Sequence, residues 1–289
     1  MEGIIIKALS GFYYVYSDGQ TYACKARGKF RKMNIKPLVG DHVDFQIENK
    51  DEGYILSIHD RTNSMIRPPI SNIDQALIIV SAREPDFQRS LLNKFLLMVE
   101  NMKIHPVIII TKMDLVSEED PVHKMIQEYL HDGYKVYPIS SKDQIGLEAV
   151  RKLFKDKSSV LIGQSGVGKS SFLNALNASF EIETGEISQV LGRGKHTTRH
   201  VEFYPIFEGL IADTPGFSSL ILEMDRWQAA LAYHDYAKLS EECKFRGCLH
   251  MNEPDCAVKK AVEEGRTSKS RYKDYLAMMN EIMNRKEKY

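Results

Sequence analysis

Cysteine and tryptophan are scarce in this sequence. Its 289 residues include 4 cysteines and 1 tryptophan. Three of the cysteines lie close together, at positions 243, 248 and 256. The chain therefore lacks the many spaced cysteines of a small disulfide-stabilised secreted protein, and the cluster favours a metal site over disulfides.

Long hydrophobic runs are also absent. No apolar run approaches the roughly 18 residues that a membrane-crossing helix needs, and the opening residues MEGIIIK show neither a basic leader nor a signal-peptide core. We expect an intracellular, cytoplasmic protein. Apolar residues make up 43% and charged residues 27% of the chain, as in ordinary folded domains. At about 100–200 residues per domain, the length suggests two or three domains.

Acidic residues are missing from positions 19–40, although the whole chain carries 39 basic and 39 acidic side chains. The basic residues of that stretch are Lys25, Arg27, Lys29, Arg31, Lys32 and Lys36. The C-terminal segment repeats the bias with Lys259, Lys260, Arg266, Lys269, Arg271, Lys273, Arg285, Lys286 and Lys288. Two basic ends fit two contact surfaces for a polyanion, and charge alone leaves ordinary solvated faces equally open.

The hydrophobic pattern changes twice along the chain. Residues 1–66 show short strand-like stretches broken by turns, which fit a small β-barrel such as an OB-fold, a type that commonly binds nucleic acid. From 67 to 222, short apolar strands alternate with helical segments, which predicts an α/β domain with a mostly parallel sheet and helices on both faces. Residues 223–289 are predicted to form a helical domain.

A glycine-rich segment after the predicted strand at 160–162 matches the phosphate-binding pattern G-x-x-x-x-G-K-[ST]. Its glycines let backbone N–H groups approach phosphate oxygens, its lysine reaches the β- and γ-phosphates, and its serine hydroxyl fits a Mg²⁺ position. The predicted nucleotide contacts are Gly163, Gln164, Ser165, Gly166, Val167, Gly168, Lys169, Ser170 and Ser171. Downstream, Asp213 ends an apolar strand and is expected to hold Mg²⁺, with the Gly216 N–H facing the γ-phosphate.

Two segments upstream indicate which base is bound. Residues Thr111, Lys112, Met113 and Asp114 resemble the guanine-reading N-K-x-D motif, with threonine replacing asparagine. Residues Ser140, Ser141 and Lys142 resemble the S-A-K motif, whose backbone approaches guanine O6. Both precede the phosphate segment, the reverse of the usual order in GTPases. We therefore infer a circular permutation, which sends the chain from Asp213 straight towards the C-terminal domain.

The polar loop at 192–199 suits a switch segment, with Thr198 favoured over Thr197 as the threonine that meets Mg²⁺ and the γ-phosphate. Phe217 stands where many GTPases have a water-orienting glutamine, so intrinsic hydrolysis is expected to be slow. His196 is our candidate for orienting or deprotonating the water. A role for His196 as an ordinary loop residue or an RNA contact stays equally open.

Near the C-terminus, Cys243, Cys248, His250 and Cys256 supply three thiolates and one imidazole within a short span. Cys₃His is a common tetrahedral ligand set for structural zinc. We expect one zinc ion that ties together helices lacking a large core of their own.

In combination, these motifs resemble the circularly permuted, ribosome-small-subunit-dependent GTPase A family of bacteria, over essentially the whole chain. The resemblance implies binding to the 30S subunit and its rRNA, a role late in its maturation, and GTP hydrolysis that the subunit stimulates and that is coupled to release. It also implies Mg²⁺ with GTP and one zinc ion, and we expect a monomer. Two alternatives stay open: an RNA-binding module that uses GTP mainly as a sensor, and a permuted GTPase that acts on the large subunit. Asp114 argues against an ATP-dependent enzyme.

Overall fold

The computed structural model describes residues 1–49, 52–65, 69–177, 201–213 and 222–285, except for the side chains of Arg31, Lys32, Asn49 and Asp213. The chain divides into two compact units. The first contains Met1–Ala76, Leu147–Ile162 and Lys169–Ser218, and the second contains Leu77–Gly146, Gly163–Gly168 and Ser219–Tyr289. Within the described ranges, no helix is both long and apolar enough to cross a membrane.

A closed five-stranded barrel forms the N-terminal part of the first unit. Its strands are β1 (Glu2–Leu9), β2 (Phe12–Ser17), β3 (Gln20–Ala26), β4 (His42–Asn49) and β5 (Glu52–Ile58), in the order β1-β2-β3-β5-β4. Strands β3 and β5 run parallel, whereas β1 pairs antiparallel with both β2 and β4. A short helix α1 (Gly28–Lys32) follows β3. This size and order are typical of an OB-fold, so the predicted barrel is confirmed.

A buried carboxylate fastens the next segment to the barrel. Asp41, which is 0% exposed, accepts hydrogen bonds from Arg61 Nε at 2.7 Å and from Ser71 Oγ at 2.6 Å. Ser71 belongs to the hairpin of β6 (Ser64–Met65) and β7 (Ile70–Ser71). Gly40 has a φ of +92°, and a Cβ there would collide with the Ser71 carbonyl oxygen. Only glycine therefore permits this close approach.

A six-stranded sheet has the order β10-β9-β8-β11-β13-β12. Its strands are β8 (Gln75–Ser81), β9 (His105–Thr111), β10 (Lys135–Pro138), β11 (Ser158–Ile162), β12 (Phe203–Ile206) and β13 (Gly209–Asp213). Strand β9 runs parallel to β10, and β11 runs parallel to β13. Strands β8 and β11 are buried throughout, as expected for strands covered on both faces. The predicted α/β fold class is confirmed.

Helices form most of the remaining regular secondary structure. They are α2 (Arg89–Asn101), α3 (Pro121–His131), α4 (Leu147–Arg151), α5 (Lys169–Leu176), α6 (Arg226–Ala230), α7 (His234–Ser240), α8 (Ala257–Glu263) and α9 (Lys269–Met283). Three of these helices begin at capping residues that are typical of helix N-termini. Asp120 caps α3 ahead of a proline, Asp225 and Gln228 form a capping box on α6, and Ser268 caps α9. The predicted helical C-terminal segment is confirmed.

A buried arginine on α9 connects it to the end of α3. Arg271 is 1% exposed, its Nε lies 3.0 Å from Asp132 Oδ2, and its Nη1 lies 3.0 Å from Asp235 Oδ1. Three tyrosine rings surround the guanidinium, those of Tyr134, Tyr233 and Tyr236. Counting Arg271 among the basic surface residues was therefore wrong. Two carboxylates compensate its charge inside the protein.

Replacing Arg271 with alanine is expected to lower the free energy of unfolding by about 3–5 kcal/mol, because Asp132 would remain as an unpaired buried carboxylate. Urea unfolding followed by circular dichroism measures the loss. Arg266→Ala is the matched control: this arginine is exposed and pairs with Glu264, so the change should stay within about 0.5 kcal/mol. Equal stability of the Arg271→Ala and Arg266→Ala proteins would contradict the structural role of Arg271.

Candidate nucleotide site and metal centre

The glycine-rich segment forms a loop between β11 and α5. Gly166 and Gly168 have φ values of +81° and +89°, in the left-handed region that favours glycine. At Gly163, an added Cβ would lie 2.5 Å from the Ile79 carbonyl oxygen. Side chains are thus disfavoured at three loop positions, which keeps the backbone accessible to a phosphate group.

The predicted contacts in this segment differ in exposure. Val167 and Ser170 are buried, Gln164 and Lys169 are half-buried, and Ser165 and Ser171 are exposed. Lys169 is the first residue of α5, so the lysine and Ser170 follow the loop directly, at the start of a helix. This is the strand, glycine-rich loop and helix order that phosphate-binding loops require.

The threonine at position 111 joins the base-reading segment to the phosphate loop. Thr111 is buried at the end of β9, and its Oγ1 donates a hydrogen bond to the Val167 carbonyl oxygen at 2.6 Å. The next acceptor, the Val80 carbonyl oxygen, lies 3.3 Å away. Threonine has one polar group fewer than asparagine, yet a single hydroxyl is enough to join the two segments.

We expect Thr111→Val to weaken GTP and GDP binding by about 10-fold, because removing one partner of a buried hydrogen bond costs about 1–3 kcal/mol. Valine has nearly the shape of threonine and leaves the Val167 carbonyl without its donor. Titration with a fluorescent guanine nucleotide measures the affinity. Thr111→Ser keeps the hydroxyl and should bind nearly as the unchanged protein does. Equal affinities for the valine and serine variants would show that this hydrogen bond does not position the loop.

The two base-reading segments contact each other. The Ser140 hydroxyl lies 2.9 Å from Asp114 Oδ1 and 3.1 Å from Asp143 Oδ2, and it accepts a hydrogen bond from the Asp143 N–H at 3.0 Å. The Met113 N–H donates to the Ile139 carbonyl oxygen at 3.2 Å. Ser140 is buried, whereas Asp114 is exposed. The carboxylate is therefore held from one side and open to a ligand on the other.

The other members of these segments lie beside this contact. Lys112 has a φ of +59°, and its Nζ contacts the Glu84 carbonyl oxygen. The Ser141 hydroxyl oxygen is buried, with no hydrogen-bond partner among the residues that the structure describes. Lys142 is exposed. The lysine stem of position 112 and the loop at 140–142 are thus both available to a base next to Asp114.

The loop at 82–88, which follows β8, also borders the site, although none of the residues predicted from the sequence lies in it. Its Glu84 carbonyl contacts Lys112, and Pro85 lies 3.9 Å from the position of a Cβ on Gly166. The Ser81 hydroxyl donates to the Pro85 carbonyl oxygen at 2.6 Å. Because ligands of parallel sheets bind beyond the carboxyl ends of the strands, the end of a buried strand was the signal that could have identified this loop.

Several predicted site residues lie outside the part of the chain that the structure describes. These are His196, Thr197, Thr198, Gly216 and Phe217. Asp213 ends β13 as predicted, but its side chain is likewise outside the description. Their roles therefore stay predictions.

The four predicted metal ligands converge on one point. The ligand atoms of Cys243, Cys248, His250 and Cys256 all lie within 4.8 Å of one another. His250 Nδ1 is 3.4 Å from Cys256 Sγ and 3.7 Å from Cys243 Sγ. Tetrahedral zinc with normal bond lengths sets its ligand atoms roughly 3.4–3.8 Å apart. The donor set and its spacing fit a metal ion such as zinc.

Helix α9 holds this cluster in place. Tyr272 and Tyr275 of α9 donate hydrogen bonds at 2.7 Å to the carbonyl oxygens of His250 and Leu249. Burial raises the pKa of Cys248 and of Cys256, and burial lowers the pKa of His250. Without a metal ion the thiols of Cys248 and Cys256 therefore keep their protons, which a bound cation would have to displace.

The barrel carries the basic surface predicted from the acid-free stretch. Lys25, Arg27, Lys29 and Lys36 are exposed. Lys25 Nζ lies 4.9 Å from the centroid of the Phe12 ring. The nearby aromatic residues are more enclosed: Tyr14, Tyr16 and Tyr22 are half-buried, and Phe30 is buried. This face therefore exposes mainly its charges to solvent, and less of its rings.

Comparison with known proteins identifies relatives along the whole chain. The RsgA N-terminal domain matches residues 2–55 and the RsgA GTPase model matches residues 58–223. The small ribosomal subunit biogenesis GTPase RsgA 1 of Listeria monocytogenes is 51% identical over 296 residues, covering 100% of both chains. The RsgA of Bacillus subtilis is 50% identical, covering 100% of this chain and 99% of its own.

Two solved structures are similar to this chain over almost its whole length. The crystal structure of YloQ, a circularly permuted GTPase, superposes with a TM-score of 0.84 at 46% identity, covering 100% of this chain and 96% of that one. The crystal structure of YjeQ from Thermotoga maritima gives a TM-score of 0.83 at 32% identity, covering 99% of each chain. The base-reading segments precede the phosphate loop, so the motif order also fits a permuted GTPase. The chain belongs to the RsgA GTPase family.

Proposed function

We propose that this chain is a GTPase that binds the 30S ribosomal subunit and assists its late maturation. The subunit stimulates GTP hydrolysis, and hydrolysis is coupled to release of the protein from the subunit. The main support for GTP binding is the hydrogen bond from Thr111 to Val167, because it joins a guanine-reading segment to a phosphate loop. The shared name of the relatives, small ribosomal subunit biogenesis GTPase, supports the ribosomal part.

In the proposed nucleotide site, the backbone of residues 163–168 binds the phosphates and Lys169 neutralises the β- and γ-phosphates. Ser170 and Asp213 hold Mg²⁺, which lowers the charge on the phosphates when bound. Asp114 accepts hydrogen bonds from the guanine N1–H and N2–H₂, and the stem of Lys112 packs on the base. The backbone of 140–142 approaches guanine O6.

For hydrolysis we propose that Thr198 and the Gly216 N–H meet the γ-phosphate, and that His196 orients the attacking water. A phenyl ring at Phe217 has no hydrogen-bonding group, so the chain alone should turn over slowly. Binding of the subunit would then bring the polar group into place. This dependence on a partner links hydrolysis to the bound state.

The remaining proposals concern organisation. We propose an RNA-binding OB-fold domain at 1–66, a permuted GTPase domain at 67–222 and a helical zinc-binding domain at 223–289. One structural zinc ion is held by Cys243, Cys248, His250 and Cys256. The basic face of the barrel and the exposed lysines of the C-terminal segment contact rRNA. The protein acts as a monomer in the cytoplasm.

Steady-state hydrolysis of GTP and ATP, with and without purified 30S or 50S subunits, tests this function. We expect slow GTP turnover alone, comparable to the roughly 10⁻⁴–10⁻³ s⁻¹ of an unassisted small GTPase, and a rise of at least about 100-fold with 30S subunits. Stimulation by 50S subunits instead would favour action on the large subunit. Unstimulated turnover would remove the ribosome from the mechanism, and preferred turnover of ATP would contradict the base assignment.

A further inference from the structure

Two large aromatic side chains lie exposed on the C-terminal helical segment. Trp227 of α6 is 51% exposed, and Phe245, between two of the clustered cysteines, is 45% exposed. Leu231, one helical turn after Trp227, is 53% exposed. Aromatic rings of this size are usually mostly covered, and exposed apolar side chains that lie together mark an interaction surface.

The two rings belong to one surface. The Trp227 indole lies 3.7–3.8 Å from the position of a Cβ on Gly247, so it packs beside the turn that carries Phe245 and Arg246. Gly247 follows these two residues in a turn, with a φ of +73°, in the left-handed region that favours glycine. We call this surface the aromatic platform and define it by Arg226, Trp227, Phe245 and Arg246.

The charges on the platform favour a polyanion. Arg226 Cζ lies 4.1 Å from the centroid of the Trp227 ring. Arg226 and Arg246 are exposed, and within the described part of the chain neither has a carboxylate at salt-bridge distance. Lys244, in contrast, pairs with Asp255 at 2.8 Å. The platform therefore offers two rings for stacking and two guanidinium groups, neither of which forms a salt bridge within the described residues, for phosphates.

We propose that the aromatic platform binds single-stranded RNA, with unpaired bases stacked on Trp227 and Phe245 and phosphates bound by Arg226 and Arg246. Stacking on exposed aromatic side chains is the usual way in which proteins bind single strands without reading a sequence. Duplex RNA does not fit, because its bases are already stacked on one another and its groove hides them. The proposal rests on the proposed function only in naming ribosomal RNA as the natural source of the strand.

The platform differs from the basic face of the barrel in what it presents. On the barrel, Phe30 is buried and the exposed groups are the lysines and Arg27. Such a face is suited to phosphates of any RNA, paired or unpaired. The platform exposes the rings themselves and so selects unpaired bases. The two surfaces should therefore respond differently to duplex and single-stranded RNA.

Trp227 is the single tryptophan of the chain, so the intrinsic tryptophan fluorescence of the protein reports directly on this surface. We would titrate the full, metal-loaded protein with a short oligouridine and with an RNA duplex of equal length. Stacking predicts saturable quenching by the single strand and little quenching by the duplex. Phe245→Ala and Arg246→Ala should each weaken binding of the single strand about 10-fold, within the range measured for lost stacking and charge contacts.

Matched controls separate the platform from general surface effects. Leu130→Ala and Lys135→Ala change an exposed apolar and an exposed basic residue elsewhere, and neither should alter the titration. Binding of a labelled oligouridine, measured by fluorescence anisotropy, extends the test to Trp227 itself. Trp227→Phe should retain affinity, whereas Trp227→Ala should lose about 10-fold.

The outcomes distinguish this proposal from the proposed function. Absence of quenching, together with unchanged RNA affinity in the platform variants, would overturn the platform even if 30S subunits still stimulate GTP hydrolysis. Quenching by 30S subunits but by neither oligonucleotide would show that the rings do not bind a free single strand and would overturn it as well. Quenching by single strands without any 30S stimulation of hydrolysis would reject the proposed function and support the platform.

Discussion

Replacing Asp114 with asparagine is expected to weaken GTP binding by about 100- to 1,000-fold and to create a preference for xanthosine nucleotides. Guanine presents two donors, N1–H and N2–H₂, to this carboxylate. An amide has only one acceptor atom, and its NH₂ group would face a donor. Xanthine carries a carbonyl oxygen in place of the 2-amino group, which the NH₂ group can bind.

The local structure indicates that this substitution leaves the fold around position 114 unchanged. Asp114 is exposed, and its carboxylate accepts a hydrogen bond from the Ser140 hydroxyl at 2.9 Å. The carbonyl oxygen of an asparagine can accept that same hydrogen bond, so the loop at 140–142 should keep its place. The expected loss therefore reports on recognition of the base and not on the stability of the fold.

The change in base preference is measured by displacing a bound fluorescent nucleotide with guanosine triphosphate or with xanthosine triphosphate. Asp143→Asn is the matched control, because Asp143 is exposed and its carboxylate also lies within reach of Ser140, at 3.1 Å. We expect the control to change the affinity for GTP less than about 3-fold, since an exposed contact of this kind contributes little. An Asp114→Asn protein that still prefers guanine would show that the base is read elsewhere.

The site motifs were predictable because each depends on local order along the chain. Continuous apolar runs marked β8, β9 and β11, and the residues directly after β9 and β11 were the base-reading and phosphate segments. Residues at the carboxyl ends of parallel strands necessarily lie at one edge of the sheet. That rule brings Thr111 and Val167 together without any knowledge of their contact.

Other features depend on tertiary contacts that no local pattern encodes. Arg271 looked like one more charge on a basic helix, and only the positions of Asp132 and Asp235, far away in sequence, make it a core residue. Strand β12 contains Pro205, which argues against a strand unless it lies at the edge of a sheet, as it does here. The exposure of Trp227 likewise follows from packing and not from its neighbours in sequence.

Removing the metal ion is expected to unfold the turn at 243–256 and helix α8. The buried apolar residues of α8 are small, Ala257, Val258 and Ala261, so the burial they provide is modest. A structural zinc site contributes about 10–16 kcal/mol of apparent binding free energy in zinc-finger peptides, much of which is used to order the chain. Without it, α8 has little to hold it against α9.

Chelation and substitution test this dependence in two ways. Cys256→Ser should reduce the zinc content from about one ion per chain to nearly none, because three ligands remain of a closed tetrahedral set. Trypsin should then cleave after Lys244 and Arg246, which are exposed in the turn, at least about 10-fold faster, since an unfolded segment is open to the protease most of the time. Cys24→Ala changes a buried cysteine of the barrel and should retain the metal.

The same variant separates the metal centre from the nucleotide site. The contact between Thr111 and Val167 involves none of the metal ligands. GTP binding should therefore persist in Cys256→Ser, although the turn at 243–256 and helix α8 unfold. Because burial raises the pKa of Cys248 and Cys256, protons compete with the metal for these sulfur atoms, and the affinity of the site for the metal should fall as the pH falls. Full zinc content and unchanged proteolysis in Cys256→Ser would contradict a structural metal here, whatever the nucleotide affinity.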